Sequence, residues 1–504
     1  MPNNIRSFVA AIIALVLLAL MPSSVFALQP NVENRLLTTA QGFFISDAVF
    51  SPDGQSVFYL DQVSGGSSTE LFHLSLNGGV PTVISPSLVA GGSIIDFQIT
   101  PDGQSIVYRA DQINDNVFEL FMMPITGGSS TRLNPALSGN NDVRDFLISS
   151  DGSYVIYAQT GSLFSNPDDD IFSVELSSDN VVNLTADLGS DFPRVDRATI
   201  SIDPSNRRVV FHTFGSNFAR NGIFSVQLNG QSLTQLNSPD DVVIDTGVIG
   251  INDASFITPD GDHVIYSVFV NNLAAIQLFR VPIDGSETRV AISNRTNSDN
   301  GFFDLSLTPD GQFLVGQSQQ LSSTGDFEVL KVPVFAEQNI ERISQALDSG
   351  FDADDPIISP DGRFVLYEVR GNSNERLFLV SIDGGNATQI NNLNDGEGFL
   401  SNDEFGFTPD GQFVLLNRFV GNGSDMTSQV FAVPINGSEV LVLSDQVIDN
   451  NDNGFDITVS ADSSQVLLVS PDGDQLLFAE LSLQAPFCFV IPNNNNGRFV
   501  PICL

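Results

Sequence analysis

The chain has 504 residues, of which 60 are acidic and 20 basic, so its formal net charge is −40 at pH 7. This charge excludes nucleic acid as a partner and favours high ionic strength, bound divalent cations or a cationic partner. Apolar residues make up 42% of the chain, and there are 40 phenylalanines and no tryptophan, so the chain folds and phenylalanine fills most aromatic core positions.

The first predicted element is a signal peptide over residues 1–27. A basic residue precedes the apolar run 8–20, and Val25 and Ala27 supply the small residues that cleavage requires. The run is shorter than the roughly 20 apolar residues that span a bilayer, and no later segment approaches that length. We therefore expect a periplasmic or secreted chain that begins near Leu28 and has no membrane span.

Most of the remaining chain is a repeat with a period near 50 residues. A Ser/Thr-Pro-Asp-Gly marker or a degenerate copy recurs, and the marker aspartates are Asp53, Asp102, Asp151, Asp203, Asp260, Asp310, Asp361, Asp410 and Asp462. This period matches one four-stranded blade and exceeds the helical-repeat periods. The sequence predicts an all-β fold, a single closed β-propeller of about nine four-stranded blades over residues 28–484. Eight blades or two smaller rings are the alternatives.

Each unit predicts four strands. The marker is a hairpin tip, because Pro presets φ, Asp caps the turn and Gly adopts a positive φ. A β-branched and aromatic strand follows, as at 57–59, then a third strand such as 71–74 and a short fourth such as 131–133. The ninth unit lacks a fourth strand, whereas the segment 34–37 resembles a fourth strand without a blade. An N-terminal strand that closes the last blade would remove the exposed sheet edges.

A carboxylate precedes each marker by six or seven residues. These residues are Asp47, Asp96, Asp145, Asp196, Asp253, Asp304, Asp355, Asp403 and Asp456. Since the position precedes the innermost strand, the side chains are expected to ring one mouth of the central channel. Crowded carboxylates raise one another's pKa unless cations or hydrogen bonds offset the repulsion, so Ca²⁺ is the candidate ligand. In the alternative interpretation, each aspartate caps its own loop.

Three further acidic segments stand out. The loop 449–454 matches the first half of an EF-hand calcium loop, with Asp449 and Asp452 as candidate ligands, but a serine replaces the bidentate Glu. The runs 168–170 and 352–355 have no defined motif and are expected to be solvated turns.

The tail over residues 485–504 contains both cysteines of the chain, Cys488 and Cys503. In an exported protein a disulfide between them is expected to close the tail, and two separate thiols are the alternative.

The marker turn, the Val-x-Tyr strand after it and the Phe-x-Val-Pro-Ile-Asp-Gly-Gly pattern resemble the TolB-like, WD-related propeller repeat over residues 30–484. The resemblance implies a propeller like that of periplasmic TolB, which supports protein contacts. It also implies likeness to the propellers of prolyl oligopeptidase and dipeptidyl peptidase IV relatives, where the propeller gates a hydrolase. The resemblance therefore predicts fold better than function. Because no α/β or hydrolase domain is recognised beside the repeat, we expect a stand-alone propeller.

No catalytic motif is evident. The sequence has neither a Gly-x-Ser-x-Gly nucleophile elbow nor a phosphate-binding Gly-x-x-x-x-Gly-Lys-Ser/Thr loop. His73, His212 and His263 lack ligand-like spacing and are expected to be blade residues, with convergence at the channel mouth as the alternative. No catalytic or cofactor-binding residue is predicted.

These observations predict an exported, monomeric, non-enzymatic scaffold that binds a protein, peptide or glycan, with Ca²⁺ as a possible cofactor. One alternative is a propeller hydrolase or lyase that uses the mouth carboxylates. The other is an accessory subunit of a separate peptidase or transporter.

Overall fold

A computed structural model describes the repeat region and two strands of the tail. The described residues are 35–39, 45–62, 68–137, 141–161, 169–189, 194–214, 222–238, 241–242, 255–270, 275–293, 296–297, 301–323, 325–336, 339–371, 376–390, 399–420, 427–436, 440–445, 447–448, 454–481, 488–492 and 499–503. These residues form nine four-stranded antiparallel blades of a β-propeller, as predicted, and no helix among them is long and apolar enough to cross a membrane.

Blades 1 to 3 each consist of four consecutive strands that pair in chain order. Blade 1 contains β2 (Ser46–Phe50), β3 (Ser56–Gln62), β4 (Thr69–Ser75) and β5 (Thr82–Val83). Blade 2 contains β6 (Ile94–Ile99), β7 (Ser105–Ala110), β8 (Glu119–Pro124) and β9 (Thr131–Arg132). Blade 3 contains β10 (Asn141–Ile148), β11 (Tyr154–Gly161), β12 (Asp169–Glu175) and β13 (Asn180–Asn183).

Blades 4 to 6 follow the same order, with two additional short strands in blade 5. Blade 4 contains β14 (Arg194–Ile202), β15 (Arg208–Phe214), β16 (Gly222–Gln227) and β17 (Thr234–Gln235). Blade 5 contains β18 (Asp241–Val242), β19 (Ser255–Ile257), β20 (His263–Val270), β21 (Ala275–Pro282), β22 (Val290–Ala291) and β23 (Thr296–Asn297). In blade 5, β18 and β19 both pair with β20, while β22 and β23 both pair with β21. Blade 6 contains β24 (Phe303–Leu307), β25 (Phe313–Ser318), β26 (Glu328–Pro333) and β27 (Glu341–Arg342).

Blades 7 to 9 complete the ring. Blade 7 contains β28 (Asp352–Ile358), β29 (Phe364–Arg370), β30 (Arg376–Ser381) and β31 (Thr388–Gln389). Blade 8 contains β32 (Phe399–Phe407), β33 (Phe413–Val420), β34 (Thr427–Pro434), β35 (Leu441–Val442) and β36 (Val447–Ile448). Blade 9 contains β37 (Asp456–Val459), β38 (Gln465–Val469), β39 (Gln475–Glu480) and, as its outermost strand, the N-terminal β1 (Arg35–Thr39). The predicted N-terminal strand therefore occupies the fourth position of the last blade.

The core lies in the seams between blades. The described buried apolar residues form nine clusters, one in each seam, and that between blades 9 and 1 joins Leu467 and Leu476 to Ile45 and Val57. Within several blades, a second-strand aromatic stacks on a third-strand phenylalanine. These pairs are Tyr59–Phe72, Tyr108–Phe121, Tyr157–Phe172, Phe211–Phe224, Tyr266–Phe279 and Tyr367–Phe378. The repeated aromatic residues are thus blade core, and the seam between blades 9 and 1 closes the ring.

The marker turn joins the first and second strands of a blade. In blade 1, Ser51 Oγ donates to Asp53 at 2.6 Å and accepts from the Ser56 amide at 2.9 Å, while Gly54 has φ 67°. The hydroxyl hydrogen bond is the main reason that the pKa of Asp53 lies below its usual range. The turn is therefore the predicted hairpin tip, held by the Ser/Thr and Asp of the motif.

In blade 4 the predicted marker aspartate, Asp203, lies two residues before the position that corresponds to the marker aspartate of the other blades. Asp203 stands at the Ser/Thr position of the turn, because its amide donates to the Arg208 carbonyl as the Ser51 amide does to Ser56. Its carboxylate accepts from the backbone amides of Ser205 and Arg207, and Asn206, with φ 52°, takes the place of glycine. One carboxylate can accept the hydrogen bonds that the hydroxyl and the marker aspartate accept in other blades. The aspartate of blade 4 was therefore aligned with the wrong position of the motif.

Candidate functional site: the acidic mouth

The recurring aspartates lie near the start of the inner strands, within or beside β-bulges in most of the described blades. The register shifts between Ser46 and Val49 in β2, and equivalent shifts occur in β6, β10, β24 and β28. Asp47, Asp304 and Asp355 have φ values of 51°, 48° and 50°. This left-handed conformation is one that aspartate tolerates better than most residues, so part of the recurrence has a backbone cause.

The inner strands begin at the same end of the channel, because every blade repeats the same strand order. We call this end the acidic mouth, defined by Asp47, Asp96, Asp145, Asp304, Asp355 and Asp456. The opposite end, where the marker turns lie, is the turn face.

Four carboxylates from consecutive blades interact along one arc of the mouth. Burial raises the pKa of Asp96, and the charges of Asp145 and Asp47 raise it further, against the opposing effect of Arg109. Burial also raises the pKa of Asp456, followed by the charge of Asp47. The arc from blade 9 to blade 3 therefore concentrates negative charge.

Hydrogen bonds and arginines partly neutralise the mouth. Arg109 lies 2.7 Å from Asp96, and its guanidinium also donates to the Val143 carbonyl of blade 3 at 3.3 Å. Asp145 accepts from the Phe146 amide at 2.8 Å, which fits the alternative of a local cap. Among the described residues, no ion pair involves Asp47, Asp145 or Asp456. Negative charge therefore remains exposed along the arc.

Blade 7 contributes a second acidic group. Its segment 352–355 was expected to be a solvated turn, but it forms the start of β28. Burial, followed by the charge of Asp352, raises the pKa of Asp354 to about 7. Arg370 lies 2.6 Å from Asp355 and 3.0 Å from the buried carboxylate of Glu368. A carboxyl group that titrates near neutral pH is the kind of residue that binding and catalytic sites use.

Some predicted ligands cannot be placed. Asp253, Asp449 and Asp452 lie outside the described residues, and for Asp196 and Asp403 only the strand positions, in β14 and β32, are described. Within the described parts of the chain, no group of three or more histidine, cysteine or acidic side chains could hold a metal ion. Calcium binding stays a prediction.

The three histidines lie in separate strands, β4, β15 and β20. His73 Nε2 lies 3.0 Å from Ser56 Oγ, and His212 Nε2 lies 2.9 Å from Ser255 Oγ. Burial lowers the pKa of His212 to about 4, so this histidine is neutral at physiological pH. The positions fit the prediction of blade residues.

A cavity of about 470 Å³ opens beside the mouth, between the inner strands of blades 8, 9 and 1. Leu415, Ile457 and Val459 pack in the seam between blades 8 and 9 and are apolar residues of its lining, and Asp456 is an acidic one. The cavity therefore joins the charged arc to an apolar interior.

The comparison with one solved structure supports the propeller fold. Dipeptidyl peptidase 4 of Porphyromonas gingivalis is similar over 86% of this chain and 65% of its own, with a TM-score of 0.53 and 12% identity. A prolyl endopeptidase matches 88% of this chain and 54% of its own, with a TM-score of 0.47 and 12% identity. An oligogalacturonate lyase from Vibrio parahaemolyticus matches 70% of this chain and 97% of its own, with a TM-score of 0.37 and 12% identity.

No family model matches the chain, and no curated protein is similar to it in sequence. The chain spans less than two thirds of the two peptidases, and at 12% identity the likeness concerns the propeller fold alone. The narrower likeness to the TolB-like repeat stays a prediction.

In the tail, β40 (Cys488–Pro492) and β41 (Phe499–Cys503) pair antiparallel, with Cys488 opposite Cys503. Directly opposed residues of such a ladder have Cα atoms about 4.5–5.5 Å apart, a separation that a disulfide can bridge. The disulfide stays a prediction that this register favours.

Sequence reasoning missed Asp354, Glu368 and Arg370 as parts of the mouth. Asp354 and Glu368 face each other in the β28–β29 register, and Arg370 follows two residues later. The acidic run was visible in the sequence, and the spacing of Asp355 from the marker was a signal that the run lies at the inner strand.

Proposed function

We propose that this propeller is a non-enzymatic scaffold that binds a positively charged protein or peptide segment at the acidic mouth. The observation that carries the proposal is the arc of interacting carboxylates from Asp456 through Asp47 and Asp96 to Asp145. A cationic group placed there offsets the repulsion among these charges, and the net charge of −40 attracts such a partner from a distance. An exported location and a contribution from Ca²⁺ belong to this proposal as further predictions.

The main competing explanation is unspecific attraction to an acidic protein, so the test compares two variants with equal charge changes. In the mouth variant, Asp47, Asp145 and Asp456 are replaced by Asn. In the control variant, Asp262, Asp284 and Asp383, which are exposed on the turn face, are replaced by Asn.

Binding of a fluorescent hexalysine peptide is measured by anisotropy at low and physiological salt. The mouth variant is expected to weaken binding roughly tenfold or more, and the control variant less than about twofold. Equal losses in both variants would show that the general field, and not the mouth, attracts the peptide. Ca²⁺ and Mg²⁺ titrations of the same three proteins, followed by thermal stability, test whether the mouth also takes a divalent cation.

One observation favours a second candidate function, the hydrolysis of a bound peptide. Asp354, with its pKa of about 7, could transfer a proton at neutral pH beside Asp352 and Asp355. Turnover of a fluorogenic library of basic peptides should then change near pH 7 and disappear in Asp354→Asn. Turnover that persists in this variant, or no turnover by the parent protein, rejects hydrolysis through this residue.

A further inference from the structure

A glycine of β32 lines the cavity between blades 8, 9 and 1. Gly406 lies in β32, and among the described residues, its two chain neighbours apart, no heavy atom lies within 4 Å of a Cβ placed here. Its backbone does not adopt the left-handed conformation, so the position tolerates a side chain. A side chain at residue 406 would therefore extend into open space without backbone strain.

Other blades use the same repeat position, four residues before the marker aspartate, for a side chain. Val49 and Leu147 are apolar, whereas Gln98 and Thr458 bond across a seam. Gln98 Nε2 donates to the Phe146 carbonyl at 3.1 Å, and Thr458 Oγ1 donates to the Ala48 carbonyl at 2.9 Å. Blade 8 has a glycine, Gly406, and no side chain at this position. A side chain of a bound ligand can therefore occupy the space that the protein's own side chain fills in those blades.

The cavity combines apolar walls with a negative rim. Leu415 and Ile457 belong to the apolar cluster of the seam between blades 8 and 9, while Ser46 and Asp456 are polar residues of the lining. Asp47, next to Ser46, interacts electrostatically with Asp456. A neutral apolar ligand would leave the carboxylates uncompensated, and an anionic ligand would be repelled.

We infer that this cavity is a specificity pocket that takes an aromatic or large aliphatic side chain of the bound segment, next to a Lys or Arg that reaches Asp456 and Asp47. The inference rests on the proposed function, because it names what the partner at the acidic mouth must contain. A volume of about 470 Å³ accommodates one such side chain. Apolar burial adds affinity that charge alone does not supply.

The test uses two blocked hexapeptides with the same charge. One contains four lysines and two phenylalanines, and the other contains four lysines and two glycines. Both are titrated into the parent protein, Gly406→Leu, Gly406→Ala and Asp456→Asn. Circular dichroism and thermal unfolding establish that each variant is folded, and Gly406→Val replaces Gly406→Leu if the latter does not fold.

For the parent protein, the phenylalanine peptide should bind roughly tenfold more tightly than the glycine peptide, or better. Gly406→Leu should remove most of that difference, because a leucine side chain takes up part of the cavity without changing any charge. Gly406→Ala should keep most of the difference, and Asp456→Asn should weaken both peptides.

The outcomes separate the two proposals. Equal binding of both peptides to the parent protein, or a difference that survives undiminished in Gly406→Leu, overturns the specificity pocket and leaves the acidic mouth intact. Absence of binding by either peptide overturns both.

Discussion

The Pro-Asp-Gly turn acts between blades as well as within them. The ring of Pro52 contacts the position of a Cβ on Gly103 at 3.3 Å, and Pro101, Pro259, Pro309 and Pro360 approach the glycine of the following blade similarly. Where glycine is replaced, a polar contact takes over, as between Ser150 and Asn206 or between the Asp410 amide and Ser463. On the turn face, the marker turns of neighbouring blades therefore contact one another and help to hold the blades together.

Gly311→Ala tests this close approach. A Cβ at residue 311 would lie 2.7 Å from Pro259 Cδ, in addition to the strain of φ 69°. In Gly411→Ala the φ is 67°, but the nearest atom is Pro360 Cδ at an ordinary 3.5 Å. We expect Gly411→Ala to lower the free energy of unfolding by about 1 kcal/mol and Gly311→Ala by about 2–4 kcal/mol, measured by urea denaturation. Equal losses would mean that backbone strain alone matters.

The acidic residues of the mouth could be predicted in part. The recurrence of Asp47, Asp96 and Asp145 fixed their place in the blade, and their mutual interaction follows from the repeat. Their pairing could not be predicted, because Arg109 and Arg370 belong to second strands and do not recur in the other units. The positive φ of Asp47, Asp304 and Asp355 could not be predicted from the residue type either, since aspartate suits both a cap and a bulge.

At the scale of elements, β1 is an edge strand that comes from the opposite end of the repeat region and pairs with β39. It pairs with β39 through Arg35–Phe478 and Leu36–Leu477, with a bulge before Thr38. Arg35 also donates to the Leu76 carbonyl at 3.1 Å, so β1 reaches blade 1. The sequence predicted this closure because the ninth unit lacked its fourth strand.

A shortened chain that begins at residue 41 should be less stable than one that begins at residue 28. Without β1, the edge of β39 is unpaired and Leu37 no longer packs on the seam between blades 9 and 1. Calorimetry should show an unfolding temperature lower by several degrees, and light scattering should show association through the open edge. Equal unfolding temperatures in the two chains would contradict a closing role for β1.

Blade 4 shows why local motifs predict elements better than their register. The repeat predicted a hairpin at Asp203, and the structure has one between β14 and β15, yet its turn is shifted by two residues relative to the motif. With Ser205 as the equivalent residue, the spacings to the neighbouring markers become 54 and 55 residues. Several side chains can make the same hydrogen bonds in this turn, so the residue type does not identify the position. The two-residue shift could therefore be recognised only from the structure.

At the scale of the whole molecule, the period predicted about nine blades, and only the missing fourth strand of the ninth unit indicated that they close into one ring. The count of nine markers was compatible with two smaller rings. Closure depends on the seam between blades 9 and 1, where Ile45 also donates its amide to the Gly473 carbonyl at 2.7 Å. Contacts between residues more than 400 positions apart leave no local signal in the sequence.

The pH dependence of stability depends on two groups of carboxyls with opposite signs. Hydrogen bonds from Ser or Thr lower the pKa of Asp53, Asp102 and Asp260 in the marker turns. Their stabilisation is present above their unfolded pKa near 3.8 and is lost as the pH falls through the lower folded values. Asp354, with its raised pKa of about 7, stabilises the fold fully below pH 3.8 and loses that contribution as the pH rises through 7.

We therefore expect the unfolding temperature to rise when the pH is lowered from 8 to 5, and to fall again below about 4. In Asp354→Asn the rise between pH 8 and 5 should be smaller, because the residue no longer takes up a proton on folding. Asp383→Asn, at a side chain that is 89% exposed, removes the same charge and should keep the parent slope. If both variants reduce the rise between pH 8 and 5 equally, Asp354 is not its cause. The rise would then come from weaker repulsion among all the acidic groups of a chain with a net charge of −40.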